Sequence, residues 1–288
     1  MNFSFVSFLT PKKVNLKGFW LGSQKPENLY VFLHGLGGSI FSRSELMTSL
    51  ASTKDAVLTF NNRGSGTINY FKKDTIKKES LLAGEAHEVF ADCLDDIEGA
   101  INYAKNCKVK RIILVGHSTG CQKTIYYLSK KNQSLIKGAI LLAPVSDYAS
   151  VDTMVSVSDY QRALKEARVL IKAGKPHALL STSSWPSRLD AQRFISLYTP
   201  DSIEEIFNYS SGKKSKTLAK VKVPILAFLA EFDEYAGRPA QDIADWLQQQ
   251  LNDKREIVTH IIPETDHGFS EKEQMMKKII KAWLKKIK

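Results

Sequence analysis

Apolar and polar positions run along this chain with two periods, and the switches between the two lay out its elements. Residues 3 to 9 and 14 to 21 carry the alternation of two strands joined through Pro11-Lys12-Lys13, a connection short enough to favour an antiparallel pair. Beyond them, short wholly apolar runs alternate with helical spacing, as expected for strands buried on both faces of a parallel sheet. These runs are Leu29 to Leu33, Ala56 to Phe60, Ile112 to Val115, Gly138 to Ala143, Val223 to Ala230 and Glu256 to Ile262. Helical spacing fills the intervals over Ile40 to Leu50, with Ser42 as its expected cap, over Glu85 to Ala104, and on through Thr124 to Leu128. It returns over Pro239 to Leu251, with proline near the first turn, and over Glu271 to Ile287. In the helix over 85 to 104 the apolar side is Ala86, Val89, Phe90, Cys93, Leu94, Ile97 and Ile101, and the acids Asp92, Asp95, Asp96 and Glu98 read as mostly solvated.

The rhythm lapses briefly over the polar residues 67 to 80 and breaks between Tyr148 and about Lys222. There, Ser158 to Ala173 and Leu189 to Leu197 read as helices and Ser181 to Pro186 as a turn, with no clear parallel strand. An insertion of this kind between two strands predicts a helical cap over the strand ends. The expected architecture is α/β, a mostly parallel sheet of about eight strands flanked by helices. The core spans 1–147 and 219–288, and the cap 148–218.

A formal charge of +11 raises the prospect of a polyanionic partner. The lysines are scattered, however, with Lys12-Lys13, Lys72-Lys73, Lys77-Lys78, Lys130-Lys131 and Lys213-Lys214 far apart and no nucleic-acid motif among them. A solvated basic surface is expected, with no nucleic-acid partner. Cys93, Cys107 and Cys121 form neither a C-x-x-C pair nor an even set, which argues against a zinc knuckle or a disulfide framework and makes a reduced, cytoplasmic compartment the default. The opening MNFSFVSFLT lacks a basic residue before Lys12 and alternates as a strand does, so it makes a poor signal peptide. No run reaches the ~20 apolar residues of a membrane span. The last helix, with Met276, Ile279, Ile280, Trp283, Leu284 and Ile287 on one side, is expected to pack on the sheet rather than lie on a membrane.

The chemistry centres on RIILVGHSTGCQKTIYYL, residues 111 to 128, where Gly116-His117-Ser118-Thr119-Gly120 joins a buried strand to a helix. A G-x-S-x-G turn in that setting exposes the serine hydroxyl above the sheet, which makes Ser118 the candidate nucleophile. A serine needs a base, and the base needs an orienting acid. Among the six histidines, His34 and His117 are held in glycine turns, His87 and His177 lie in helical or cap sequence, and His260 sits inside a strand. His267 follows a strand in Pro263-Glu264-Thr265-Asp266-His267-Gly268-Phe269, where an open α/β sheet gathers its site residues. For the acid, the chain order Ser, Asp/Glu, His favours the strand end at AEFDEY, with Asp233 first, Glu234 as fallback and Asp147 as another possibility. His34-Gly35-Leu36-Gly37-Gly38 lacks phosphate-loop spacing and suits backbone donors to an oxyanion. Asn61-Asn62-Arg63-Gly64-Ser65-Gly66 reads either as a tight loop or as substrate-facing.

HGLGG, FNNRGSG, GHSTG, the Asp233 loop and DHGF, in this order, resemble the α/β-hydrolase superfamily from residue 29 to 288, apart from the cap. GEAHEVFADCLDDIEGAI, GHSTGCQK, APVSD and AQRFISL resemble the DUF1749 group, which includes fungal siderophore esterases. The resemblance implies a triad of Ser118, Asp233 and His267, with the main-chain N–H groups of Leu36 and Thr119 as oxyanion donors. The segment after APVSD reads YAS where that group has a charged pair, which speaks against a siderophore-like substrate.

The function this predicts is cleavage of small carboxylic esters through an acyl-enzyme, with no metal or organic cofactor. An amidase or peptidase, an acyltransferase, and a non-catalytic binding protein on the same scaffold are the alternatives. In the cap, Leu179, Leu180, Trp185, Phe194, Ile195, Leu197 and Tyr198 with Arg188 and Arg193 either wall the site or form the cap's own core and surface. The first reading favours short to medium acyl esters bearing an uncharged or acidic group.

Overall fold

A computed structural model describes residues 2–77, 79–181, 183, 185–250 and 256–287. Lys78 of the Lys77-Lys78 pair, Thr182 and Ser184 of the expected turn, and Leu251 at the expected helix end lie outside them.

The two N-terminal strands, β1 (Phe3–Leu9) and β2 (Asn15–Gly22), pair antiparallel as expected. The sheet continues with β3 (Asn28–Leu33) and β4 (Asp55–Phe60), and β2 also runs antiparallel to β4. Residues 67 to 80, read as an excursion, contribute to a separate hairpin of β5 (Asn69–Lys72) and β6 (Ser80–Ala83). The parallel part is completed by β7 (Ile112–His117), β8 (Ile136–Leu142), β9 (Ile225–Ala230) and β10 (Ile257–Ile262). The main sheet has eight strands in the order β1-β2-β4-β3-β7-β8-β9-β10.

Because side chains alternate across a strand, each buried strand feeds two cores. In β3, Leu29, Val31 and Leu33 join one cluster while Tyr30 and Phe32 join the other. The first cluster is covered by α2 (Cys93–Asn106), α3 (Thr119–Lys130) and α7 (Ala240–Gln249). The second is covered by α1 (Ser44–Leu50) and α8 (Glu273–Leu284), where Met276, Ile280, Trp283 and Ile287 pack as the helical pattern requires. Among the described residues no helix is long and apolar enough to cross a membrane.

Between β8 and β9 the chain forms an inserted cap with α4 (Val151–Met154), α5 (Val157–Lys172) and α6 (Ala191–Tyr198). Ser156 and Asp190 cap α5 and α6 by accepting from the N–H groups of Asp159 and Arg193. The cap has a core of its own, in which Leu180, Trp185, Phe194, Leu197 and Tyr198 meet Ala163 and Leu164, and Leu36 of the HGLGG loop packs against it.

Three sequence expectations fail where polar groups take partners that the local pattern does not show. Ser42 does not cap α1: its hydroxyl accepts from Ser39 N–H, and the helix starts after Arg43, which has φ 55°. The helix expected from Glu85 begins only at Cys93, after a short 3-10 turn over Phe90–Asp92, and Val89 is exposed. Residues 85 to 89 instead leave the helical path, with Glu88 buried against Lys123 at 2.6 Å and Arg193 at 3.0 Å. Most of the acids of α2 are not solvated either. Asp95 and Asp96 are buried on the Arg63 guanidinium, Asp92 accepts from it at 3.0 Å, and Glu98 accepts from the Tyr127 hydroxyl. Arg63 therefore belongs to a structural anchor, so the Asn61–Gly66 turn is a tight loop.

Candidate active site

Strand β7 delivers Ser118 at the start of α3 with φ 53° and ψ −127°, a conformation that non-glycine residues rarely adopt. Its N–H donates to Leu142 and its carbonyl accepts from Cys121 N–H, so the turn is held from both sides. The flanking glycines are obligatory for steric reasons: a Cβ on Gly116 would lie 2.3 Å from the Gly120 carbonyl oxygen, and one on Gly120 would lie 2.1 Å from that of Leu33. Gly35 of the HGLGG loop also passes close to the serine, since its Cβ would come 2.8 Å from Cβ of Ser118.

His267 follows β10, with its imidazole Nδ1 2.9 Å from each carboxylate oxygen of Asp233, which follows β9. Nδ1 therefore carries the proton and donates it to Asp233. Both side chains are nearly out of solvent, and Asp233 also accepts from Tyr235 N–H at 3.0 Å. The Tyr235 ring meets the imidazole edge-on, with centroids 4.9 Å apart. The two other acids do not meet the His267 ring. Glu234 accepts from the main-chain N–H of His267 at 3.1 Å, and Asp147 from the Gln122 amide at 2.9 Å.

Ser118 and His267 line one cavity of about 370 Å³, together with Leu36 and Gly38. Small-molecule pockets run from about 300 to 1,000 Å³, so this one suits a modest ligand. The main-chain N–H groups of Leu36 and Thr119 find no acceptor among the described residues.

Several residues of the cavity were not legible as site residues. Arg43 donates to the Gly268 carbonyl, and Glu85, Ser187 and Tyr235 add to the lining. The left-handed φ of Arg43 is a tertiary outcome with no local sequence signal, and Glu85 was hidden within an apparent helix. Of the cap residues named from sequence, Tyr198 reaches the cavity, Arg188 is exposed, and Arg193 is wholly buried between Glu88 and Glu204. Burial works against the charge on Arg193, but Glu204 and Glu88 outweigh it and hold the guanidinium charged. The ionisable side chains of the cavity, besides the proposed base, are thus Arg43, Glu85 and Asp147 rather than arginines of the cap. Desolvation, with Glu204 and Glu205 nearby, pushes the Asp147 pKa up to about 8 despite Arg193.

The remaining histidines are tied into the fold. Burial, aided by Lys123, lowers His34 to about 4, and its ring bonds Gly35 and Asn62. His87 and His177 both meet Asp190, while His260 stacks on Phe228.

A family described as "Protein of unknown function (DUF1749)" matches residues 88–288. The chain belongs to the DUF1749 family. No curated protein sequence matches it. Among solved structures, the α/β hydrolase GrgF from Penicillium sp. sh18 superposes with a TM-score of 0.66 at 14% identity, covering 98% of this chain and 97% of its own. The Pyrococcus furiosus esterase PF2001 gives 0.61 at 16% identity over 99% and 91% of the two chains. Est1E from Butyrivibrio proteoclasticus, solved with ferulic acid, gives 0.60 at 15% identity over 98% of each. At these identities the likeness is one of fold, and the fold is that of the α/β hydrolases, with a cap inserted after β8.

Proposed function

We propose that this DUF1749 protein is a serine hydrolase that cleaves small carboxylic esters through an acyl-enzyme. The observation that carries this reading is the shared cavity of Ser118, at its strained turn, and His267, whose Nδ1 is engaged by Asp233. With Nδ1–H held by the carboxylate, Nε2 is the basic nitrogen. Ser118 Oγ attacks the acyl carbon as His267 takes its proton, and the imidazolium then protonates the departing alcohol. Water, deprotonated by the same imidazole, releases the acid and restores the serine. The free N–H groups of Leu36 and Thr119 serve the oxyanion, each such donor contributing about 3 to 4 kcal/mol to the transition state.

That proteins of this fold bear the name esterase, PF2001 and a domain of a Rhodothermus marinus protein among them, supports the reaction class. The cavity volume and the overlying cap favour small esters over lipid aggregates. A fluorophosphonate probe tests the proposal directly: it should label the intact chain and leave Ser118→Ala unlabelled. An unlabelled wild type, or equal labelling of both, would refute it. On esters of graded acyl length, rates should peak at short to medium chains; a continued rise at the emulsion threshold would indicate a lipase instead.

A further inference from the structure

Apart from the proposed triad, three side chains converge where the cap meets the core. His87 lies in the segment that leads into α2, His177 in the turn after α5, and Asp190 at the start of α6. Their nearest donor atoms all lie within 4.8 Å of one another, with His87 Nδ1 3.0 Å and His177 Nδ1 2.8 Å from the same Asp190 oxygen, Oδ2. We propose that His87, His177 and Asp190 form a binding site for a Zn²⁺-like divalent transition-metal ion that clasps the cap to the core.

Each ligand is held in place by neighbouring main-chain bonds. Asp190 N–H donates to the Ala86 carbonyl beside His87 at 2.8 Å, and the carbonyls of Pro176 and Ala178, on either side of His177, accept from Gln192 and Ala191. The second carboxylate oxygen of Asp190 accepts from Arg193 N–H at 2.7 Å, so Oδ2 alone is aimed at the imidazoles. Such outer bonds fix the orientation of a metal-binding carboxylate.

Charge points the same way. Asp190 is fully buried, yet no lysine or arginine side chain bonds it among the described residues, because the Arg193 guanidinium goes to Glu88 and Glu204. A buried carboxylate without a cation is costly, and a divalent ion supplies that charge.

Two imidazole nitrogens and one carboxylate oxygen are a borderline-soft donor set, suited to zinc with a water as fourth ligand. Metal bonds of about 2.0 to 2.1 Å at tetrahedral angles separate ligand atoms by roughly 3.3 Å, so the two imidazole-to-Oδ2 separations open by a few tenths of an ångström while the imidazole nitrogens, within 4.8 Å of each other, draw together by rotation of the half-exposed His177 side chain. The Nδ1 lone pairs then turn to the metal, and each Nδ1 proton moves to Nε2 through solvent, with no oxidant or reductant involved. The half-exposed ring of His177 leaves an entry path. Glu85 and Ser187, near these ligands in sequence, line the cavity, so the clasp borders the site without belonging to the proposed ester chemistry.

The test uses the full-length, tag-free, metal-stripped chain titrated with Zn²⁺ by calorimetry, with thermal unfolding as a second readout. The wild type should bind one ion per chain and gain in Tm. His177→Ala, a surface change, should weaken binding by about tenfold or more and abolish the gain. Asp190→Asn, which keeps the helix cap, should do the same. Co²⁺ should give the visible bands of a four-coordinate site in the wild type only. Absence of binding, or equal binding by wild type and His177→Ala, would overturn the site and leave a hydrogen-bonded trio.

Discussion

The ring of His117 donates from Nε2 to the main-chain carbonyl of His267 at 3.0 Å, so the residue just before the elbow serine holds the loop of the proposed base. The two rings lie 4.9 Å apart. Burial, with His267 alongside, lowers the His117 pKa to about 3, so the ring is neutral at neutral pH. Losing one such positioning bond is worth roughly 1.4 kcal/mol, or tenfold in rate. His117→Phe should therefore lower kcat by about tenfold with KM little changed, and His117→Gln, which retains an N–H donor, should recover part of it. Steady-state kinetics alongside Tm would separate this from a purely structural role, in which Tm falls and kcat holds.

The contacts of the two adjacent acids predict different kinetic effects. Asp233 meets the His267 ring, whereas Glu234 meets only its main-chain N–H. Asp233→Asn should reduce turnover by up to about 10⁴-fold, and Glu234→Gln by far less. The opposite ranking in ester turnover would transfer the role to Glu234.

Arg63 is buried against Asp92, Asp95 and Asp96, and those carboxylates outweigh the desolvation that opposes its charge. Removing one partner from a buried ionic cluster typically costs about 3 to 5 kcal/mol. Arg63→Met should lose that much in denaturant unfolding. Lys12→Ala, which breaks an exposed pair with Asp92, should lose less than about 1 kcal/mol. Similar losses in the two variants would contradict the contrast in burial.

The raised pKa of Asp147, about 8, sets a pH dependence. An unfolded aspartate titrates at about 3.9, so between these values the native state keeps a proton that the unfolded chain releases. The contribution is complete below about pH 4 and is lost as pH climbs through about 8. Stability should decline with rising pH across that window, by at most about 1.4 kcal/mol per pH unit for this proton. Asp147→Asn should flatten the slope in unfolding measured at several pH values, and an unchanged slope would exclude Asp147 as its source.

Local rules carried the reading of this protein a long way. Strand and helix positions are legible because side-chain periodicity is a property of neighbouring residues, and this locates every strand of the main sheet as well as the body of α3. The elbow was legible for the same reason, since Gly116 and Gly120 answer to contacts made within one strand, turn and helix and the strand beside them. The choice of His267 and Asp233 followed from chain order and strand ends, and their 2.9 Å contact required the sheet to bring β9 and β10 side by side. Polar residues with distant partners could not be read this way. Asp95 and Asp96 occupy positions that look solvated until the turn after β4 delivers Arg63 to them. Arg193 is neither a wall of the cavity nor a surface charge, because Glu88 and Glu204 meet it from separate segments. Arg43, Glu85 and the trio of His87, His177 and Asp190 have no local signature for the same reason. Periodicity records which face of an element is buried, whereas the partner of a buried charge is set by the tertiary fold, where desolvation makes that pairing decisive.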